Sequence, residues 1–354
     1  MKHPDTLHAR VFSFAARHPL KTALRQKQLG VWQELSWQTY AESVAACARA
    51  LWELGVRAGD HVAILADNRP EWLFADLGAQ AIGARGVGIY QTNPPADVAY
   101  ILNDSQAKVL FLADQEQVDK AIACQDTTPS VTHWVVFDPR GTRSFNESRL
   151  TSWEAFRARG QELIAGDADW MDTQLAARRP EDAAMIVYTS GTTGHPKGAM
   201  LSSRNVTIPA RSAVNLLGIR PDDSVLSYLP LCHVAEKIFT LFLPLQTGCV
   251  VHFGESIETV QADLREVSPT VFLGVPRIWE KMNATVTVKM RDASWLKRTL
   301  YHFFGAHGRR IGTKRLANKL TLWDRILWFL GERVIFRPLK ERLGLARCRV
   351  AVSG

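Results

Sequence analysis

A chain of 354 residues, 46% hydrophobic and 22% charged, has enough core material for two or three packed subdomains, and its composition excludes a disordered, collagenous or low-complexity protein. Its net charge of +8 is unevenly held: residues 281–349 carry 17 Lys and Arg against 4 Asp and Glu, so the rest of the chain is slightly acidic. The five cysteines are scattered, odd in number and without metal-ligand spacing, which argues against a disulfide framework or a zinc site and for a reducing cytoplasm.

No apolar run near Met1 resembles a signal peptide, and no stretch reaches the roughly 18 residues of a membrane span, so neither is expected. After an entry segment, apolar spacing predicts a helix over about 36–53, with Ser36 as its N-cap and Gly55 closing it. Strands at 61–65, 86–90 and 108–112 alternate with helices near 70–82 and 95–103, the pattern of a parallel sheet wrapped by helices. Residues 138–179 are polar and interrupted by Gly141, Ser144, Gly160 and Gly166, and read as connecting structure. Strand-like runs recur at 184–188, 225–229, 249–253, 270–275 and 349–353, which predicts a second sheet. The expected class is therefore α/β with two helix-wrapped, mostly parallel sheets. The expected subdomains are 1–180, including the connecting region, and 181–354, which holds a basic helical insertion over about 282–345.

Chemistry concentrates at 188–198, Tyr-Thr-Ser-Gly-Thr-Thr-Gly-His-Pro-Lys-Gly, directly after a predicted buried strand. Glycines let backbone approach phosphate oxygens, hydroxyls and amides donate to them, and Lys197 adds a mobile cation. A Walker A loop would need Gly-Lys-Ser/Thr; here Pro196 precedes the lysine and Gly198 follows it.

The string instead resembles the phosphate-binding loop of the acyl-adenylate-forming family. That resemblance implies an ATP site formed by Thr189, Ser190, Gly191, Thr192, Thr193, Gly194 and Lys197, with Thr192 near Mg2+. The run Leu-Pro-Leu-Cys-His-Val-Ala-Glu-Lys (229–237) is similar to the family motif in which a histidine closes the acyl pocket, which makes His233 a catalytic candidate beside Lys197; Glu236 receives no role. Residues 89–110 and 255–281 look like the long-chain acyl-CoA synthetase group. The implied reaction joins ATP, a long-chain fatty acid and coenzyme A through an acyl-AMP. Family elements that have no counterpart in the sequence imply the N-terminal part of a longer enzyme, with the small C-terminal domain absent. Transfer to a carrier-protein thiol, and a non-catalytic acyl- or membrane-binding remnant, are the alternatives. The basic segment mixes Trp, Phe and Leu with cations, which favours peripheral contact with an anionic membrane over nucleic acid; a solvated basic face is the other reading, and oligomeric state is open.

Overall fold

The computed structural model describes residues 5–145, 147–189 and 194–354. Its strands, in chain order, are β1 (Thr22–Gln28), β2 (Val31–Ser36), β3 (His61–Leu65), β4 (Arg85–Ile89), β5 (Ala107–Leu112), β6 (His133–Val136), β7 (Leu150–Ser152), β8 (Ala183–Thr189), β9 (Lys197–Ser202), β10 (Ser224–Ser227), β11 (Val250–Phe253), β12 (Val271–Leu273) and β13 (Val350–Val352). The chain groups into two compact units, Met1–Glu255 and Ser256–Gly354.

The first unit holds two mixed sheets. One has the order β7-β6-β5-β3-β4-β8-β9, parallel from β7 to β8 with β9 added antiparallel. The other has the order β10-β11-β1-β2, with β10, β11 and β1 parallel. Strands β3, β4 and β5 are buried almost throughout, as strands covered by helices on both faces must be. Their apolar side chains build one core with Val98, Ile101, Leu102 and Trp134. In the helix Trp37–Glu53 the Ser36 hydroxyl accepts from the Thr39 N–H at 3.1 Å, the predicted cap, and Trp37, Tyr40, Val44, Cys47 and Leu51 are buried.

Three features differ from the sequence expectation. The entry segment contains a helix, Leu7–Arg17, and the β1–β2 hairpin, turned by Leu29 and Gly30, both at positive φ. The segment read as connecting structure contains β7 and the helices Trp153–Ala165 and Trp170–Ala176. Gly160 does not interrupt the first of these: a Cβ there would lie 1.9 Å from the Ala46 carbonyl oxygen, so glycine is what lets this helix close on Trp37–Glu53. Finally, the five later strands do not share a sheet. β8 pairs with β4, β11 pairs with β1, and β12 and β13 pair with each other, so a division at 180/181 would cut through the seven-stranded sheet.

In the second unit the β12–β13 pair accompanies the helices Val260–Val267, Pro276–Arg291, Trp295–Leu316, Leu322–Gly331 and Arg337–Leu343. Among the described residues no helix is long and apolar enough to cross a membrane.

Candidate functional site

Strand β8 is buried from Ala184 to Val187 and delivers Thr189 at its carboxyl end, where ligands of parallel α/β sheets bind. β9 returns beside it, placing Tyr188 opposite Gly198 and Thr189 opposite Lys197. Both ends of the predicted phosphate loop therefore meet at one hairpin. Ser190, Gly191, Thr192 and Thr193 lie outside the described residues. Gly194 has φ +98°, a conformation costly for any side chain, with open space where a Cβ would stand. Lys197 is exposed and, among the described residues, forms no ion pair.

The hairpin is braced from the helix Pro95–Ser105. The Tyr100 ring stacks on His195 at 4.5 Å, and its hydroxyl donates to the Pro196 carbonyl at 3.0 Å. The Tyr188 hydroxyl donates to Asp104 Oδ2 at 2.6 Å; burial first, then that carboxylate, pushes its pKa upward.

The second candidate sits on the turn after β10. His233 is exposed and caps the short helix Val234–Lys237, its Nδ1 accepting from the Ala235 N–H at 3.1 Å. An accepting Nδ1 leaves the proton of the neutral ring on Nε2, which is free to donate to a ligand. The turn presses against the carboxyl end of β4, the strand next to β8: a Cβ on Gly88 would lie 2.8 Å from the Cys232 Cα. The His233 turn, which follows β10 of the other sheet, thus packs against the carboxyl end of β4, the strand that pairs with β8. Burial, then Cys232, raises the Tyr90 pKa to about 12.

Behind His233 lies machinery that periodicity could not reveal. Glu236 is buried and accepts from Ser227 Oγ, the Tyr228 and Leu229 N–H groups and Thr240 Oγ1. Burial lifts its pKa to about 7 against the pull of those donors. Lys237 is paired with Asp76 at 3.1 Å, the two side chains 1% and 0% exposed, and its Nζ sits 4.5 Å from the Trp72 ring centroid. The available sequence signal was two adjacent charges just before the apolar run Ile-Phe-Thr-Leu-Phe-Leu (238–243).

Comparison with known proteins names the family. The model of AMP-binding enzymes matches residues 11–322. The chain belongs to the AMP-binding enzyme family. This AMP-binding chain is 28% identical over 358 residues to the long-chain-fatty-acid–CoA ligase ACSBG2 of Xenopus laevis, covering 99% of the present chain and 48% of that protein. It spans about half the length of the curated relatives it matches. The anthranilate CoA ligase AuaEII, solved in complex with anthranoyl-AMP, superposes with a TM-score of 0.63 at 25% identity, covering 78% of this chain and 51% of that one. A long-chain-fatty-acid-CoA ligase, FadD1 of Archaeoglobus fulgidus, shares the fold with a TM-score of 0.67 at 22% identity, over 83% and 55% of the two chains. The mixed α/β architecture of the AMP-binding chain matches the corresponding part of these ligases.

Proposed function

We propose that this chain is the nucleotide- and acyl-binding part of a ligase that converts a long-chain fatty acid and ATP to acyl-AMP and pyrophosphate, then passes the acyl group to the thiol of coenzyme A. The observation that carries the reading is the pairing of Thr189 with Lys197, which brings together, at the carboxyl end of β8, the two ends of the run read as a phosphate loop. Its support from relatives is that the matched curated proteins are named long-chain-fatty-acid–CoA ligases and that a structural neighbour holds an acyl-adenylate.

In this chemistry a fatty carboxylate oxygen attacks the α-phosphorus, an acyl–O–P bond forms, and the bond to pyrophosphate breaks with its electrons leaving on pyrophosphate. Lys197 would neutralise charge growing on the phosphates, and the His233 Nε2–H would orient the carboxylate. The thiolate of coenzyme A then attacks the acyl carbon and AMP departs. Mg2+ belongs to the same proposal. Thr192, which lies outside the described residues, would sit near the ion, whose charge would help offset that of the phosphates.

The test is equilibrium binding of MgATP to the purified chain and to Lys197→Ala. At least tenfold weaker binding by the variant is expected, and equal affinities would refute the assignment.

We extend the proposal to peripheral contact with an anionic lipid surface. Trp295, Leu296, Leu322, Trp323 and Phe329 are all exposed, and Lys297, Arg298 and Arg325 are exposed close to them in sequence.

A further inference from the structure

Around the His233 turn, two polar side chains far apart in sequence grip the same backbone. Asn68, in the loop between β3 and the helix Pro70–Ala81, donates from Nδ2 to Ser227 Oγ at 2.8 Å and to the Leu229 carbonyl at 2.5 Å. Its Oδ1 accepts from the Leu231 N–H at 3.0 Å. From the opposite end Glu236 Oε1 accepts from Ser227 Oγ at 2.8 Å, the Tyr228 N–H at 3.2 Å and Thr240 Oγ1 at 2.5 Å, while Oε2 accepts from the Leu229 N–H at 3.2 Å. Asn68 Nδ2 and Glu236 Oε1 are themselves 3.5 Å apart. Within 228–231 the N–H groups of Tyr228, Leu229 and Leu231 and the carbonyl of Leu229 are therefore held by side chains, although these residues form neither helix nor strand. A turn has no ladder of its own to satisfy these groups, so its shape depends on the partners.

We propose that Asn68 and Glu236 are positioning residues that lock the 228–233 turn and thereby set where His233 meets the acyl carboxylate. The inference rests on the acyl-adenylate reading of the site. It adds that the loop after β3 tunes the acyl half of the site separately from the nucleotide half. Neither residue touches the reacting atoms; both act through the backbone that carries His233.

The test uses the purified chain and Asn68→Ala, Glu236→Ala, Glu236→Gln and His233→Ala. Amide hydrogen exchange reads the turn directly, and two titrations read the site: MgATP, and palmitoyl sulfamoyl adenosine as a stable acyl-adenylate mimic. Exchange should quicken at least tenfold at Leu231 in Asn68→Ala and at Leu229 in Glu236→Ala. Both variants should bind the mimic at least tenfold more weakly while MgATP affinity moves less than twofold. Glu236→Gln keeps one acceptor oxygen but turns an NH2 donor toward either the Leu229 or the Tyr228 N–H, so affinity for the mimic and protection should recover only in part, with MgATP affinity still unmoved. Should Glu236→Ala fail to fold, Asn68→Ala decides the matter. Unchanged exchange in Asn68→Ala overturns the clamp, as does unchanged mimic affinity in that variant when His233→Ala lowers it. If His233→Ala also leaves mimic affinity untouched, the acyl reading of the turn fails instead, and the clamp stands or falls on exchange.

Discussion

Replacing Lys237 by methionine should be among the most damaging single changes in this chain. The substitution keeps a long unbranched side chain between Trp72 and Met185 but removes the cation that Asp76 Oδ2 meets at 3.1 Å. Asp76 is 0% exposed, its Oδ1 has no hydrogen-bond partner, and the backbone of Gly86 leaves the carboxylate its room. Water cannot take the place of the lost ammonium. Removing one partner of such a buried pair costs about 3–5 kcal/mol because the other charge is stranded. With a urea m-value of about 3 kcal/mol/M, that lowers the midpoint by about 1–1.7 M. The decisive comparison is the double variant Asp76→Asn/Lys237→Met, which strands no charge and should recover at least half of the loss. Urea unfolding followed by tryptophan fluorescence measures all three proteins. A loss under about 1 kcal/mol for Lys237→Met, or a double variant no better than the single, would show that the pair does not carry the burden assigned to it.

Other consequences are accessible to the same preparations. The Glu236 carboxyl is raised from 4.5 to about 7, so its neutral form is favoured in the fold. Its contribution is fully present below pH 4.5 and is lost as pH rises to about 7, a fall of about 3 kcal/mol. Urea midpoints across that window should show this slope in the parent and a flatter profile in Glu236→Gln; parallel profiles would remove Glu236 as its source. Gly160→Ala would drive a Cβ to within 1.9 Å of the Ala46 oxygen. Overpacking of this kind costs about 1–3 kcal/mol, and the upper end should apply against unyielding backbone, lowering Tm by about 4–6 °C in calorimetry. Flotation with vesicles containing anionic lipid should show binding that weakens with salt and drops severalfold in Trp295→Ser/Trp323→Ser; binding equal to that of the parent would exclude the exposed aromatics as the contact.

The sequence was most legible where structure is local and buried. Strands β3, β4 and β5 and the helices between them follow from apolar runs and caps, because a sheet covered on both faces needs uninterrupted hydrophobic strands. The run 188–198 stood out by composition, since glycines, hydroxyls and a lysine have few other reasons to gather after a buried strand, and its proposed role came from the family resemblance. β1 and β2 were hidden: Arg25, Gln26, Lys27, Gln33 and Glu34 make them polar, and their hairpin turn uses Leu29, an unusual residue at positive φ. Sheet membership could not be read either, because the pairing of β11 with β1 is a property of the folded chain and leaves no local pattern. For the same reason Asn68 escaped notice, since its partners lie 159 to 163 positions away; Glu236 was singled out without a role, because its nearby partners Ser227, Tyr228, Leu229 and Thr240 leave no pattern that marks a buried carboxylate.

The pairing of β1 with β11 also sets a timetable for synthesis. Leu24 faces Val251, so a ribosome adding about 5–20 residues per second needs about 10–45 s between making the two partners. Through that interval the hairpin β1–β2 can form on its own, yet its inner edge waits with unpaired amides and carbonyls, while β3, β4 and β5 already have one another. The growing chain would thus carry a nearly complete parallel sheet beside an open strand edge, and the segment emerging near Val250 has to reach that edge before another polypeptide does.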